Sequence, residues 1–353
     1  MPSTEGEHLS LIRASRLRLA EVACGIVFLG LACVVAISIG PADLPLDGVL
    51  RSLVARIPGI GVHSGLNSID NGILFDIRAP RIVLGGIVGA TLALSGASYQ
   101  GVFQNALADP YLLGVASGAG LGATIAIAVA HVGAGATITL LPVAAFIGAV
   151  CAVTATYALA KSGRQRNTQS LLLAGVAIGS FLTAIQTFVQ QRSEPTLQQV
   201  YAWILGGLST ATWGQVVLVI PYVTVTGAIL LSCRRVLDVL AVGDEEAQSL
   251  GVNPQRVRML VVAAATLGTA AVVSVSGLIG FVGIIVPHTI RLVVGPSYRR
   301  ILPLSVLFGA GFLIFADLVA RTVLSPAEVP LGVITAGLGA PFFLVVLRNA
   351  RSL

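Results

Sequence analysis

The chain is poor in charged residues and almost lacks lysine. Only 10% of its 353 residues are charged, and Lys161 is the single lysine among 21 basic residues. A phosphate-binding P-loop needs a Gly-Lys-Ser/Thr step, whereas Lys161 follows Ala160. The chain therefore carries no P-loop, and if its function is ATP-driven, the ATPase must be a separate polypeptide.

Motifs of metal or nucleophilic chemistry are also missing. The sequence contains no HExxH, no nucleophile elbow and no paired catalytic carboxylates. His288 has no second histidine at ligand spacing, which favours a core histidine over a haem or iron ligand. The four cysteines fall in or beside apolar runs, without disulfide or zinc spacing. We expect no enzyme activity, no metal site and no cofactor in this chain.

Apolar residues dominate what is present. They make up 56% of the chain, and the mean hydropathy is +0.93, far above that of an average soluble domain. The net charge of +6 could suggest nucleic acid, but arginines that flank membrane spans give the same total. The composition predicts a protein of the lipid bilayer with no nucleic-acid partner.

Runs of about 20 apolar residues predict an all-α polytopic protein with ten transmembrane helices. Residues 1–19 are expected to form a cytoplasmic N-terminal segment, and residues 20–350 a single transmembrane domain. We place the spans near 20–40, 80–100, 112–131, 139–160, 170–190, 214–233, 257–275, 279–295, 302–321 and 331–348. A segment at 198–208 is too short to span and is expected to dip in as a short helix.

The distribution of basic residues predicts the orientation. With the N-terminus inside, the inner loops and termini hold 15 arginine and lysine residues, and the outer loops hold 6. Both termini are therefore expected in the cytoplasm.

The stretch from Arg78 to Gly122 organises the chain. Two arginines three residues apart precede an apolar run that is rich in glycine, alanine and serine, and a polar break at 100–110 precedes a second such run. Interior glycines weaken a helix in water, but in lipid they let helices approach closely. The pattern predicts a membrane hairpin with a polar elbow.

The inner loop 234–258 is the longest cytoplasmic connection. Within it, VGDEEAQSLGVNP begins with three acidic residues, which favour a helix start. Gly251 fits a helix end, and Pro254 prevents continuation. We predict a short amphipathic helix that presents a surface to a cytoplasmic partner.

Seven motifs, in order along the chain, resemble the permeases of FecCD-type ABC importers for iron-siderophores, haem and cobalamin. They are RAPR at 78–81, LSGASYQGVFQNALADPYLLGVASGAG at 94–120, LLLAGVA at 171–177, VGDEEAQSLGV at 242–252, GLIGFVGIIVPHTIR at 277–291, ADLVAR at 316–321 and EVPLGVITAGLGAPFFL at 328–344. The resemblance implies a type II ABC importer permease architecture. It also implies a second permease copy, most simply a homodimer, two ATPase subunits that carry ATP and Mg²⁺, and an extracytoplasmic substrate-binding protein.

The resemblance assigns roles to individual residues. Arg78, Arg81 and Arg321 match arginines that dock the binding protein through its glutamates. The family's ATPase-coupling loop corresponds to the segment that contains Gly243, Asp244, Glu245, Ala247, Leu250 and Gly251. Interfacial snorkelling of the arginines and an unpartnered surface helix are the respective alternatives.

Other matches concern the inner gate and the pathway. Asn105 and Leu107 match an N-P-L-A elbow in which this chain has Ala106 in place of proline, so the elbow is expected to be less rigid. Thr168 matches a second gate position, and Gln169 replaces a small serine there. On the fifth span a polar strip either lines the pathway or packs between helices; its members are Thr183, Gln186, Thr187, Gln190 and Gln191.

Two other functions remain to be compared with an ATP-driven importer. An ion- or proton-coupled secondary transporter needs charges deep in the spans, and only Asp317 approaches this; a bridge to Arg321 four residues on explains it more simply. An intramembrane enzyme lacks its motifs. Within the importer family we expect an iron chelate as cargo first, then haem or cobalamin, and the sequence leaves homodimer and heterodimer open.

Overall fold

The computed structural model describes residues 17–350 except 43, 57–63, 133–136, 163–167 and 193. The predicted N-terminal segment therefore lies almost wholly outside the described residues. Every regular element in the described residues is helical. Fifteen α-helices follow one another: α1 Leu19–Ser38, α2 Leu46–Ala55, α3 Ser68–Gly72, α4 Ala79–Phe103, α5 Val115–Val132, α6 Thr137–Ser162, α7 Thr168–Arg192, α8 Leu197–Ile204, α9 Trp213–Ser232, α10 Arg234–Leu240, α11 Asp244–Ser249, α12 Pro254–Ser276, α13 Val282–Val294, α14 Tyr298–Thr322 and α15 Leu331–Ala350.

Ten of these helices correspond to the ten predicted spans. Within the described residues, seven apolar helices are long enough to cross a membrane, and α5, α13 and α15 contain shorter apolar stretches. A π-helical turn, Ile73–Arg78, joins α3 to α4 without a break. The prediction of an all-α multi-pass protein is confirmed.

The bundle has two ends that carry different sets of polar residues. The arginine end contains Arg78, Arg81 and Arg321, at the start of α4 and the end of α14. The coupling end contains α10 and α11, together with the elbow 104–114 that follows α4. Successive spans run between these two ends.

Helix α4 is the centre of the bundle, and most of its 25 residues are buried. Its glycines bring neighbouring backbones into contact: Gly89 meets the Gly309 carbonyl of α14, and Gly96 meets Gly283 of α13. On another face, the Tyr99 hydroxyl shares a 2.8 Å hydrogen bond with Thr266 of α12. Small residues drive packing here because lipid supplies no hydrophobic force between helices.

Helix α13 is only 13 residues long, about 20 Å at 1.5 Å per residue. It begins beside Gly96, well inside the span of α4, so the preceding loop 277–281 lies at membrane depth. The Gly207 amide donates to the Ser276 carbonyl (2.9 Å), and the Leu331 amide donates to the Gly206 carbonyl (3.0 Å). Irregular backbone is tolerated at this depth because other protein segments satisfy its polar groups.

The short helices agree in part with those predicted from the sequence. The dipping helix predicted at 198–208 is present as α8, and the predicted cytoplasmic helix is present as α11. Pro254, predicted only as a helix stop, is the first residue of α12, where a missing amide hydrogen costs nothing. Helix α10, which begins with Arg234 and Arg235, lies in the predicted loop 234–258, where no helix is predicted before residue 243.

The contact between α4 and α13 yields a stability prediction. In Gly96→Ala, the new Cβ would overlap the backbone carbonyl of Gly283, so the helices must separate. We expect a loss of about 1–3 kcal/mol, typical of overpacking. Thermal unfolding of the detergent-solubilised protein measures it. Gly30→Ala of α1 is the matched control, since no atom lies within 4 Å of its added Cβ; equal unfolding temperatures for the two variants would contradict this packing.

Candidate functional site

At the arginine end, Arg81 is held by two carboxylates. Its Nε lies 2.9 Å from Asp317 Oδ2, and its Nη1 lies 2.7 Å from Glu328 Oε1. Its Nη2 donates to both carboxylates, at 2.9 Å and 3.1 Å. The side chains of Arg81 and Asp317 are 9% and 5% exposed, whereas that of Glu328 is 34% exposed. Paired, bidentate geometry is what makes such a buried charge tolerable.

Arg78 and Arg321 hold the end of the first span. Arg78 Nη1 donates to the Ile37 carbonyl (2.9 Å) and the Ser38 carbonyl (3.3 Å), and Arg321 Nη2 donates to the Ala36 carbonyl. The last carbonyls of a helix lack intrahelical partners and carry partial negative charge. Two arginines from other spans thus act as the C-terminal cap of α1, which explains basic residues at this end of the bundle.

Asp317 lies closer to Arg81 than to Arg321. The predicted bridge from Asp317 to Arg321 is present, but its 3.9 Å separation is longer than the 2.9 Å to Arg81. Arg321 Nε is buried and makes no hydrogen bond. We call the five side chains Arg78, Arg81, Asp317, Arg321 and Glu328 the outer ionic cluster; their formal charges sum to +1.

The arginines of the outer ionic cluster are buried in the single chain, which limits how they could contact a docked binding protein. The three arginines are 3%, 8% and 2% exposed in the single chain, and Glu328 is the member that reaches the surface. Glu328 belongs to the EVPLG motif, but the sequence predicts no role for it. The signal in the sequence is a carboxylate just before a span, seven residues after Arg321, an arginine that needs a counter-charge. Docking through the arginines stays a prediction.

At the coupling end, α11 is fixed by one arginine of α12. Arg258 donates to both Asp244 oxygens, at 2.8 Å and 2.7 Å, and through Nε to the Val102 carbonyl at 3.2 Å. This places the start of α11 against the last turn of α4. Of the predicted coupling residues, Ala247 is fully buried and Leu250 is 68% exposed. The short helix is thus anchored on one side and open on the other.

Two glycines shape the ends of α11. Gly243 has φ +143° and Gly251 has φ +81°, values that other residues rarely adopt. The Val252 amide donates to the Ala247 carbonyl at 2.9 Å, which closes the C-terminal turn. The sequence indicated Gly251 through its position after an amphipathic run, and Gly243 through the resemblance alone.

Helix α10 adds a second anchor that sequence reasoning missed. Asp238 accepts a hydrogen bond from Ser297 Oγ at 2.9 Å and pairs with Arg299 at 3.4 Å. These contacts tie α10 to the start of α14, so both short helices of the loop 234–258 are fixed to spans.

The elbow after α4 is tighter than its missing proline suggested. Gln104 adopts a left-handed conformation that ends α4, and Asn105 Oδ1 accepts from the Leu107 amide at 2.9 Å. Such an Asx turn replaces the restraint that proline would give. Burial raises the pKa of the Asp109 carboxyl to about 6, and the Tyr111 amide that donates to it opposes this shift. Asn105 and Leu107 are exposed at the coupling end.

The polar strip of α7 divides between two environments. Thr183 and Thr187 are exposed, and Gln190 is half-buried. Gln186 is only 8% exposed and packs against Gly120 of α5. The strip therefore contains both packing and surface residues. Thr168 and Gln169 begin α7, but their side chains lie outside those the structure describes.

His288 is the residue that the sequence raised as a candidate haem or iron ligand. The His288 ring packs edge-on against Phe342, with ring centroids 5.8 Å apart. Among the described residues, no three His, Cys, Asp or Glu side chains come together as metal ligands. His288 therefore sits in an aromatic contact.

The outer ionic cluster yields a second stability prediction. Asp317→Asn leaves Arg81 and Arg321 buried with one carboxylate fewer, and removing one partner of a buried pair costs about 3–5 kcal/mol. Glu328→Gln should cost less, because Glu328 is partly solvated. Thermal unfolding of both variants in detergent compares them. Equal destabilisation, or none for Asp317→Asn, would show that the cluster does not hold the fold.

Comparison with known proteins places this geometry in a family. A model of the FecCD transport family matches residues 28–349. The cobalamin import system permease protein BtuC of Halobacterium salinarum is 46% identical over 277 residues, 78% of this chain and 73% of that protein. The hemin transport system permease protein HmuU of Yersinia pestis is 39% identical, over 79% of this chain and 84% of its own length. The Fe(3+)-citrate import system permease protein YfmD of Bacillus subtilis is 33% identical, over 96% and 97%.

A solved structure agrees with the sequence relatives. A metal-chelate type ABC transporter in an inward-facing conformation matches with a TM-score of 0.78 and 30% identity, covering 92% of this chain and 97% of that chain. The similar proteins are permease components whose ATPase is a separate subunit, so the chain is a permease and not an enzyme. Since the family model and these relatives span most of its length, the chain belongs to the FecCD transport family, as a membrane permease of ABC importers for iron chelates, haem or cobalamin.

Proposed function

We propose that the chain is the permease of an ATP-driven, binding-protein-dependent importer of a metal chelate. The coupling segment, residues 243–251, carries the proposal. Its helix is pinned to α12 and α4 by Arg258, yet presents Leu250 outward. A segment that is rigid on the membrane side, and exposes Leu250 among acidic and polar side chains on the free side, suits contact with an ATPase. ATP and Mg²⁺ would bind to that subunit.

The proposed mechanism transmits motion through rigid elements. When the ATPase subunits close on ATP, they would displace α11. The Asp244–Arg258 pair would pass this displacement to α12, and the Arg258–Val102 hydrogen bond would pass it to the end of α4. The elbow with Asn105 and Leu107 follows directly, so the proposed gate would move with the coupling segment.

The proposed partner in the membrane is a second copy of this chain. Helix α7 is a span that the chain itself barely covers: only 17% of its apolar window is buried. Its exposed face carries Leu173, Val176 and Phe181 beside Thr183 and Thr187. A homodimer would bring two such faces to a shared axis, where the polar residues line a path and the apolar residues pack.

The proposed location is a bacterial plasma (inner) membrane, with both termini in the cytoplasm. The arginine end would then face outward and meet the binding protein. Carboxylates of that protein would approach a cluster with a net charge of +1, and complementary charge favours orientation and fast association. A proton-coupled mechanism finds no support, since Asp317 is engaged by Arg81 at hydrogen-bond distance.

The cargo proposal is an iron chelate first, with haem or cobalamin next. The relatives named above cover all three classes, and two of them are named for iron-containing cargo. Selectivity would lie largely in the binding protein, because the described surface of α7 between 170 and 191 offers neutral side chains.

Reconstitution tests the transport proposal. The permease is co-purified with the ATPase and binding protein of its own system and placed in proteoliposomes. We expect ATP-dependent uptake of one member of a panel of ferric siderophores, haem and cobalamin. Uptake that instead follows a proton or sodium gradient without ATP would refute the proposal.

Leu250 tests the coupling segment. Leu250→Arg should abolish ATPase binding and uptake while leaving the unfolding temperature unchanged, because the side chain is 68% exposed. Leu292→Arg is the matched control: it is 70% exposed and lies in the last turn of α13, outside the coupling segment. Equal loss of ATPase binding in both variants would mean that residues 243–251 have no special role.

The arginines need a test that separates docking from folding, since both are affected by their loss. We expect Arg78→Ala with Arg81→Ala to abolish binding-protein association, measured by surface plasmon resonance on permease in nanodiscs. Asp317→Asn is the control, because it weakens the same cluster but keeps every arginine. Equal affinity of the two permease variants for the binding protein, at a temperature where both variants are folded, would disprove docking through the arginines.

A further inference from the structure

A polar chamber lies at the coupling end. It has a volume of about 680 Å³ and is lined by the ends of α4 and α6, the first turn of α7, the start of α12 and the coupling segment. Its polar lining includes Asp244, Gln248, Asn253, Gln255 and Arg258. The transport mechanism uses the Asp244–Arg258 pair as a link but leaves the space beside it unexplained.

An apolar groove of about 570 Å³ lies beside the chamber, between α6 and α12. Tyr157 and Val262 line both spaces, so the two are adjacent. The groove walls include Val150, Val153, Ala158, Met259 and Ala263. A polar space next to an apolar one, in a protein of the bilayer, matches the two halves of a lipid.

The groove is somewhat shorter than one leaflet of the bilayer. Its walls run over residues 150–158 and 259–267, each about 12 Å at 1.5 Å per residue. One leaflet of the hydrocarbon core is roughly 15 Å thick. One turn beyond Val150, Phe146 contacts Tyr222 of α9, with ring centroids 5.5 Å apart. The groove therefore reaches from the coupling end to about the middle of the bilayer.

The chamber presents both charges to a headgroup. Arg258 uses three of its five N–H donors on Asp244 and Val102, and two remain for a phosphate. Asp244 is 43% exposed as a side chain and can accept further hydrogen bonds. A purely anionic headgroup would meet a carboxylate and an arginine that is already neutralised. A headgroup with a phosphate and an amine finds a partner for each.

We propose that the chamber and groove bind a zwitterionic aminophospholipid of the leaflet at the coupling end. Its phosphate contacts Arg258, its ammonium contacts Asp244, and one acyl chain fills the groove between α6 and α12. The bound headgroup would lie between α11 and α12 and stabilise the link that the coupling segment depends on. The site requires only that the protein spans a membrane, so it stands whether or not the proposed cargo is correct.

Lipid retention tests the site. The full-length chain, in complex with its ATPase subunits, is purified in mild detergent from membranes of phosphatidylethanolamine and phosphatidylglycerol, and retained lipid is counted by native mass spectrometry. We expect phosphatidylethanolamine to remain on each permease copy. Ala263→Trp fills the groove and should remove it. Ala23→Trp, at an exposed alanine of α1 outside the groove, should retain it.

A second variant separates the headgroup assignment from loss of folding. Asp244→Asn removes the ammonium partner while Arg258 keeps its charge, so retention should shift from phosphatidylethanolamine towards phosphatidylglycerol. A misfolded chamber would lose both lipids. Retention of phosphatidylglycerol or cardiolipin by the unaltered protein would overturn the zwitterionic assignment. Retention that is unaffected by Ala263→Trp, or no retained lipid at all, would overturn the site.

Discussion

The close approach of α4 to its neighbours is the constraint on which the rest of the structure depends. A Cβ at Gly96 would overlap the backbone of Gly283, and one at Gly89 would overlap that of Gly309. In lipid, packing and satisfied polar groups hold helices together, since apolar burial gives no net advantage. Only glycine permits this separation, and it lets the short helix α13 begin beside the middle of α4. The loops at membrane depth can then pair with one another.

The same helix connects the two candidate sites. Arg81, at one end of α4, joins Asp317 of α14 and Glu328, and the Val102 carbonyl, near the other end, accepts from Arg258. The 21 residues between them correspond to about 32 Å of helix. Because α4 is packed on nearly all sides, it can move only as a body with α13 and α14. A signal between the two ends would therefore take the form of a rigid displacement of packed helices.

Charged side chains at the two ends of the bundle hold helix ends and short helices in place. Arg78 and Arg321 hold the carbonyls that end α1, while Arg258 and Asp238 fix the two short helices at the opposite end. Each arrangement satisfies backbone or carboxylate groups that would be costly to leave unpaired in a medium without water. The exposed features that the proposed partners would meet include the apolar face of α7, Leu250 and the edge of Glu328.

The sequence by itself determined the number and order of the spans, the small-residue packing of α4 and the short helix α11. These follow from local properties: hydropathy over about 20 residues, glycine content, and acidic residues followed by Gly251. Only the tertiary structure decided the partners of the arginines. Arg81 and Asp317 are 236 residues apart, and no local pattern indicates that Asp317 belongs more to Arg81 than to Arg321. The sequence also could not predict which residues of the α7 polar strip are buried. Whether Gln186 is buried depends on where Gly120 of another helix lies. The burial of a side chain in a membrane bundle is set by its neighbours in space, whereas hydropathy reports only its neighbours along the chain.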